Sequence, residues 1–384
     1  MSQGEPKDSM NLGNDTESVV HAADDPVRPH QEIWYEDGNV LLIAETTSFR
    51  VHKSILSRNS EFFHDMFKLP QPQDSDKDPE KTQCACVHMS EAAEDLAYFL
   101  GAMYNSIKYF RTDSQLSYPA LRAILKLSQR FSSDPLRVFA VGRLKAAFPR
   151  KYSEWEMIAQ HVIPQPVIYE TRDLPSIANL AQEYELADVL PVILYDCCQL
   201  SLDWIVGGVP PKETEDRQGG EEGGEEGKGG KPDSPKGEWV HLSRDNQKAI
   251  LTARSRLTLA TVTMLAGLVY VRDGLCDQYA CTSALREISM AGLVKGDAVF
   301  DPLTALNREL ANEPVPTLQG GLFGQMAPPI AHQQGIDALC RACRESCRNH
   351  LRVTREKILR NIEEYIPVDF VRRSDDTSGV LQAS

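Results

Sequence analysis

Residues 38–68, GNVLLIAETTSFRVHKSILSRNSEFFHDMFK, constrain this chain more than any other stretch. NVLLIAE (39–45) and SFRVH (48–52) are short runs of aliphatic, β-branched and aromatic residues around the turn-like Thr46-Thr47-Ser48, a pattern that predicts a β-hairpin. KSILSRNSEFFHDMFK (53–68) supports two short helices. The second opens on Ser60 as N-cap, has Glu61 in the favourable first turn, and sets Phe63, Met66 and Phe67 along one face. A hairpin that runs straight into helices needs a sheet with helices laid against it, so the fold class is α+β.

QPQDSDKDPEKTQ (71–83) breaks the pattern with prolines and charge, and CACVHM (84–89) reads as a third strand. Helical spacing follows. Leu96, Phe99, Leu100 and Met103 recur behind a Ser cap and an acidic first turn; Leu121, Ile124, Leu125 and Ser128 repeat the period, as do Leu136, Phe139, Ala140 and Leu144. The last of these helices starts at Asp134 as N-cap with Pro135 at N1, and Ser153 with Glu156 reads as a capping box for another. Segments 175–205 and 242–365 are helical in pattern almost throughout, so a small sheet flanked by helices gives way to a mainly α-helical C-terminal region.

Breaks in composition set the expected organisation: a disordered acidic tail at 1–31, a mixed domain at 32–150, a helical extension at 151–210, a disordered Gly/Glu-rich linker or loop at 211–237, a helical domain at 238–370, and a disordered tail at 371–384.

The formal net charge is −14, but residues 1–30, 70–82 and 211–237 hold −4, −2 and −3 of it. The remainder is close to balanced and shows no basic face to neutralise a phosphate backbone, so nucleic-acid binding is not expected. The most apolar run, LTLATVTMLAGLVYV (257–271), contains three threonines and falls short of the roughly 20 residues that span a bilayer. It reads as a buried helix, with no membrane association expected. The N-terminus lacks an apolar signal core. An odd count of nine cysteines argues against a disulfide framework, and together these features point to the cytoplasm or the nucleus.

The order of elements resembles that of BTB/POZ domains. GNVLLIAETTSFRVHKSILSRNSEFFHDMF (38–67) is similar to the family's opening hairpin, which ends in a His-basic pair, here His52-Lys53, before a short helix and a Ser-x-x-Phe helix, here Ser60, Phe62 and Phe63. VHMSEAAEDLAYFLGAMYN (87–105) resembles the next strand and its aromatic-rich helix, and LRAILKLSQRFSSDPLR (121–137) the helix pair that follows. The rest looks like the C-terminal part of a large group of fungal (basidiomycete) BTB proteins, with paired cysteines and a Leu-Pro type tail for which IEEYIPVDF (362–370) is an imperfect counterpart.

The resemblance implies a non-enzymatic protein-interaction adaptor that forms a homodimer through its BTB domain. Candidate interface residues are Trp34 and Tyr35 before the hairpin and Ile55 and Phe62 on the helices; Phe63 and Met66 are read as monomer core. Two alternatives accompany it, a substrate receptor for a cullin-type ubiquitin ligase and a zinc-stabilised, transcription-associated regulator. Asn39 stands where repressors of the family carry an acid opposite the base kept here by Lys53, which speaks against a charged co-repressor pocket. The short hydrophobic-x-Glu element of cullin-binding members is not identifiable.

Catalytic motifs are absent: no H-E-x-x-H, no phosphate-binding glycine loop and no G-x-S-x-G elbow occurs, so no catalytic or cofactor-binding residue is assigned and no cofactor is expected. Cys276, Cys281, Cys340, Cys343, Cys347 and His350 form the one group with ligand chemistry, and C-x₂-C is a common zinc half-site. The spacing of Cys340, Cys343 and Cys347 equally suits a buried helical stripe, where cysteine packs as a small hydrophobe. Core packing is the preferred assignment, with no metal ligand named. Sulfurs of Cys276, Cys281, Cys340 and Cys343 within about 4 Å of one another would favour zinc, because zinc–sulfur bonds are about 2.3 Å.

Overall fold

A computed structural model describes residues 26–69, 84–105, 109, 111, 114–211, 239–271, 276, 278–294, 301–303 and 338–368. Most of the acidic N-terminal tail, the insertion at 70–82, the Gly/Glu-rich run and the C-terminal tail therefore lie outside the described residues. The chain divides into two compact units, Met1–Leu100 and Gly101–Ser384.

The first unit is a four-stranded sheet with helices. Strands β1 (Arg28–Trp34), β2 (Val40–Ala44), β3 (Thr47–Val51) and β4 (Ala85–Met89) lie in the order β1-β3-β2-β4. The expected hairpin forms with β2 and β3 antiparallel, Val40 opposite Val51 and Ala44 opposite Thr47. Its turn is tighter than the sequence reading put it, with Glu45 at φ 51°. Period-two alternation places Val40, Leu42, Ala44, Phe49 and Val51 in the core.

Strand β1 begins at Arg28, inside the segment expected to be a disordered tail through residue 31, and pairs parallel with β3. The pattern concealed it because only Ile33 of β1 is buried, and Pro29 removes a donor, which an edge strand tolerates. His30 locks this edge: its ring stacks on Phe49 at 5.0 Å, and its Nδ1 accepts from the Ile33 amide at 3.1 Å.

Helices α1 (Lys53–Asn59) and α2 (Glu61–Lys68) follow β3 directly. Ser60 caps α2 as expected, its hydroxyl accepting from the Phe63 amide at 3.2 Å. Helix α3 (Ala93–Tyr104) carries Glu94 and Asp95 in its first turn. Its Ala93 amide donates at 3.1 Å to the Glu45 carboxylate, so the hairpin turn supplies an acidic partner at the favourable end of the helix.

The second unit is almost entirely helical. Helix α4 (Tyr118–Arg130) buries Leu121, Ile124, Leu125 and Ser128, and α5 (Asp134–Ala147) buries Leu136, Ala140 and Leu144. Ser133, not Asp134, is the N-cap of α5, which puts Pro135 one position deeper. The capping box expected at Ser153 does not form: helix α6 (Tyr152–Ala159) has Lys151 at its N-cap and no side-chain cap bond. A short parallel pair, β5 (Leu116–Ser117) with β6 (Val167–Ile168), joins the two ends of this region.

Helices α7 (Leu174–Glu183), α8 (Leu190–Cys197), α9 (Leu202–Gly207) and α10 (Arg244–Gly267) form the next layer. Asn179 of α7 fixes the approach to α10, donating to the His241 carbonyl at 2.6 Å and accepting from the Ser243 amide at 3.0 Å. Arg254 of α10 donates to the Cys198 carbonyl at 3.0 Å and also to that of Leu200, so it closes the C-terminal end of α8. Val209 and Val240 exchange two backbone hydrogen bonds of 2.9 and 3.0 Å, which brings together the chain on either side of the Gly/Glu-rich run. Gly208, at φ 90°, enters this bridge.

Helices α11 (Tyr279–Val294), α12 (Arg341–Arg360) and α13 (Ile362–Tyr365) complete the described structure. The apolar run at 257–271 lies mainly in α10, and no helix among the described residues is long and apolar enough to cross a membrane.

Candidate functional site

Two features of the structure bear on function, one in each unit. In the first, the hairpin and helices α1 and α2 present a mixture of core and solvent-facing aromatic residues. Gly38 permits the close approach at its start: a Cβ there would lie 2.9 Å from Arg50 Cγ and 3.0 Å from the Tyr35 carbonyl oxygen. The Gly38 carbonyl accepts from Arg50 Nε at 3.0 Å. Asn39 has a structural task that the sequence did not reveal, its side-chain oxygen accepting from the Lys53 amide at 2.8 Å and so holding the first turn of α1 to the hairpin. Asn39→Ala is expected to lower the stability of this corner by about 1 kcal/mol, as removal of a helix cap does; Asn39→Asp, which keeps the acceptor, should retain it, as read by hydrogen exchange of peptides spanning β2 to α1. His52 completes the corner, with Nε2 3.1 Å from Asp37 Oδ1 and its ring 5.5 Å from that of Tyr35.

On this frame the four candidate interface residues separate. Trp34 and Phe62 are 39% and 42% exposed, whereas Tyr35 and Ile55 are half-buried. Phe63, one position after Phe62, is fully buried and stacks on Phe67 at 6.1 Å. Met66 is half-buried. Large aromatic side chains left in solvent beside filled core positions are what a recognition surface requires.

In the second unit, four cysteines from two separate stretches meet. Cys276 precedes α11, Cys281 lies in its first turn, Cys340 is the N-cap of α12, and Cys343 follows one turn later. Their sulfurs all lie within 4.8 Å of one another, and the Cys276 and Cys340 sulfurs are 3.8 Å apart. Backbone amides point at them: Cys340 N–H reaches Cys281 Sγ at 3.3 Å, and Cys343 N–H reaches Cys340 Sγ at 3.4 Å. The second of these bonds stabilises the thiolate and draws the Cys340 thiol down to about 7. Around them packs an apolar cluster that includes Met264, Leu265, Leu268, Leu285 and Leu351.

The sequence reading preferred core packing for all six members of this group, and the structure divides them. Cys281, Cys343 and Cys347 are all buried in the apolar cluster, but Cys347 stands outside the four-sulfur group and burial pushes its thiol up to about 11. His350 turns away, its Nε2 3.3 Å from the Met264 carbonyl. Cys197 and Cys198 are buried, Cys84 is half-buried and Cys86 is exposed. The same helix α12 also gathers Arg341, Arg344, Arg348 and Arg352 around a surface recess with Glu345 and Asn349. Whole-chain charge hid this stripe. The helix carries two further arginines, Arg355 and Arg360, with Lys357, and Glu345 and Glu356 stand among them.

Residues 35–136 match the family model of the BTB/POZ domain. The chain carries a BTB/POZ domain. The match covers the hairpin, its helices and the α4 region, and it runs past the division between the two compact units. BTB domains are protein–protein interaction modules, which is a role for a surface and not for a catalytic cleft. Neither a curated protein nor a solved structure matches the chain. The fold as a whole is a BTB domain of small sheet and helices followed by a mostly helical C-terminal region, as the sequence led one to expect.

Proposed function

We propose that this chain is a non-enzymatic interaction adaptor in which the BTB domain pairs two copies and the helical remainder presents a second recognition surface. The observation that carries the reading is the exposure of Trp34 and Phe62 on the BTB unit while their sequence neighbours Ile33 and Phe63 are buried. Aromatic side chains of this size bury large areas on association and dominate interface energetics. Tyr35 and Ile55, half-buried in a single copy, would lie toward the edge of the contact. Nine cysteines, none of them in a disulfide, are consistent with the reducing cytoplasm or nucleus.

The test is the mass of the full-length protein in solution, by sedimentation velocity at micromolar concentration. A dimer is expected, and the double variant Trp34→Ala/Phe62→Asp should sediment as a monomer with an unchanged circular dichroism spectrum. A wild-type chain that is monomeric throughout this range would remove the pairing role. Capture of a cullin by the wild-type chain would move the assignment to the alternative, a substrate receptor for a ubiquitin ligase.

A further inference from the structure

The helical region holds a feature that the BTB domain does not account for. We propose that Cys276, Cys281, Cys340 and Cys343 bind one zinc ion as a structural tetrathiolate site. Four zinc–sulfur bonds of about 2.3 Å in a tetrahedron place neighbouring sulfurs about 3.8 Å apart. The Cys276–Cys340 pair stands at 3.8 Å, and the whole set falls within 4.8 Å, somewhat wider than the ideal. The separation is also far beyond a disulfide bond of about 2.05 Å.

Three further features distinguish the group from ordinary core cysteines. The first is its origin in two cysteine pairs close in sequence, C-x₄-C before and within α11 and C-x₂-C at the start of α12, which converge although about sixty residues separate them. The second is its amide donors. Amide groups that point at sulfur favour the thiolate and orient it, as outer partners do in metal sites. The third is position: Cys340 and Cys343 occupy the N-cap and the first turn of a twenty-residue helix, whose positive end suits the net negative charge of four thiolates on a divalent cation. Cys281 and Cys343 share the apolar cluster with Cys347, but Cys347, two turns into the same helix, lies outside the four-sulfur group.

The ligand set selects the metal. Four thiolates in tetrahedral array suit zinc or iron and disfavour magnesium and calcium, which take oxygen ligands. With all four positions filled by protein there is no place for a reacting water, so the ion holds structure and performs no chemistry. Its effect is to fasten the stretch at 276–281 to the start of α12. Ligation releases thiol protons, so it weakens in acid.

The experiment is elemental analysis of the full-length chain, purified under reduction without chelators. About one zinc per chain is expected. The Cys276→Ser/Cys340→Ser variant should fall below a tenth of that, while Cys347→Ser keeps the metal. Cobalt exchanged into the wild-type protein should show the thiolate charge-transfer band and the intense visible bands of a tetrahedral sulfur site, a readout that does not depend on any variant folding. Titration of the wild-type chain with a mercurial should release zinc in step with four thiols. A folded chain that takes up no zinc under reduction overturns the proposal, as does zinc retained by the double variant. Iron in place of zinc overturns the choice of metal.

Discussion

Phe63→Ala is expected to destabilise the BTB unit by about 3–5 kcal/mol, whereas Phe62→Ala, one position earlier on the same helix, should change it by about 0.5 kcal/mol or less. The contrast follows from burial. Phe63 is fully enclosed and its ring lies against Phe67, so truncation leaves a cavity the size of an aromatic ring in a sheet-and-helix core that cannot collapse around it. Phe62 meets Phe63 edge-on at 5.3 Å but keeps much of its surface in water. Hydrogen exchange of peptides spanning β2 to α2 is the appropriate measurement, because a chain of two units has no single unfolding midpoint. At low protein concentration, exchange should accelerate strongly for Phe63→Ala and barely for Phe62→Ala. Equal acceleration by both would mean that Phe62 is core and would remove the main support for the proposed interface.

The second large effect is expected at Gly208. At φ 90° and in the close company of His241, this position disfavours a side chain for two separable reasons. A Cβ would sit 2.5 Å from His241 Nδ1, and the backbone conformation itself is one that residues with a Cβ rarely adopt. Gly208→Ala should therefore cost about 1–4 kcal/mol, the larger share from backbone strain, because the exposed His241 ring can turn aside from an added methyl group. Adding His241→Ala should recover the overlap and leave about 1–3 kcal/mol of backbone strain. Hydrogen exchange of peptides spanning α9 and the start of α10 in the three proteins measures both parts. A neutral Gly208→Ala would show that the chain passes Gly208 in another conformation.

The sequence spoke most clearly where burial is periodic. Val40, Leu42, Phe49 and Val51 alternate, and Leu121, Ile124, Leu125 and Ser128 recur on one helical face; in both places the elements are found where the pattern puts them. Ser60 was legible as a cap because the residue type, the acid after it and the apolar face agree. Strand β1 was not legible, since one buried residue in seven leaves no period to read and its pairing is to a strand that follows it in sequence. The caps at Ser133 and Lys151 differ from expectation because neighbouring residues compete for the same position and only local backbone geometry decides.

The candidate sites were legible to different degrees. The residue types at Trp34 and Phe62 suggested an interface, but exposure is a property of the packed unit. Cys340, Cys343 and Cys347 share a helical stripe, so spacing alone could not separate two converging thiols from a third that packs as core. What separates them is Cys276 and Cys281, brought in by the path of the chain from far upstream. Asn39 was read as a lost acid, and the bond it makes to Lys53 depends on the angle between hairpin and helix, which no local pattern encodes.

The paired hydrogen bonds between Val209 and Val240 carry a consequence for how this protein can vary. They bracket the acidic glycine-rich stretch at its base, so helices α7 to α10 are registered by contacts that lie outside the bracket. With both ends held there, the entropy of closing the segment between them grows by about 0.6 kcal/mol for each doubling of its length. A change of length between these two valines is thus weakly penalised by closure, because the bridge at its base already holds the ends together.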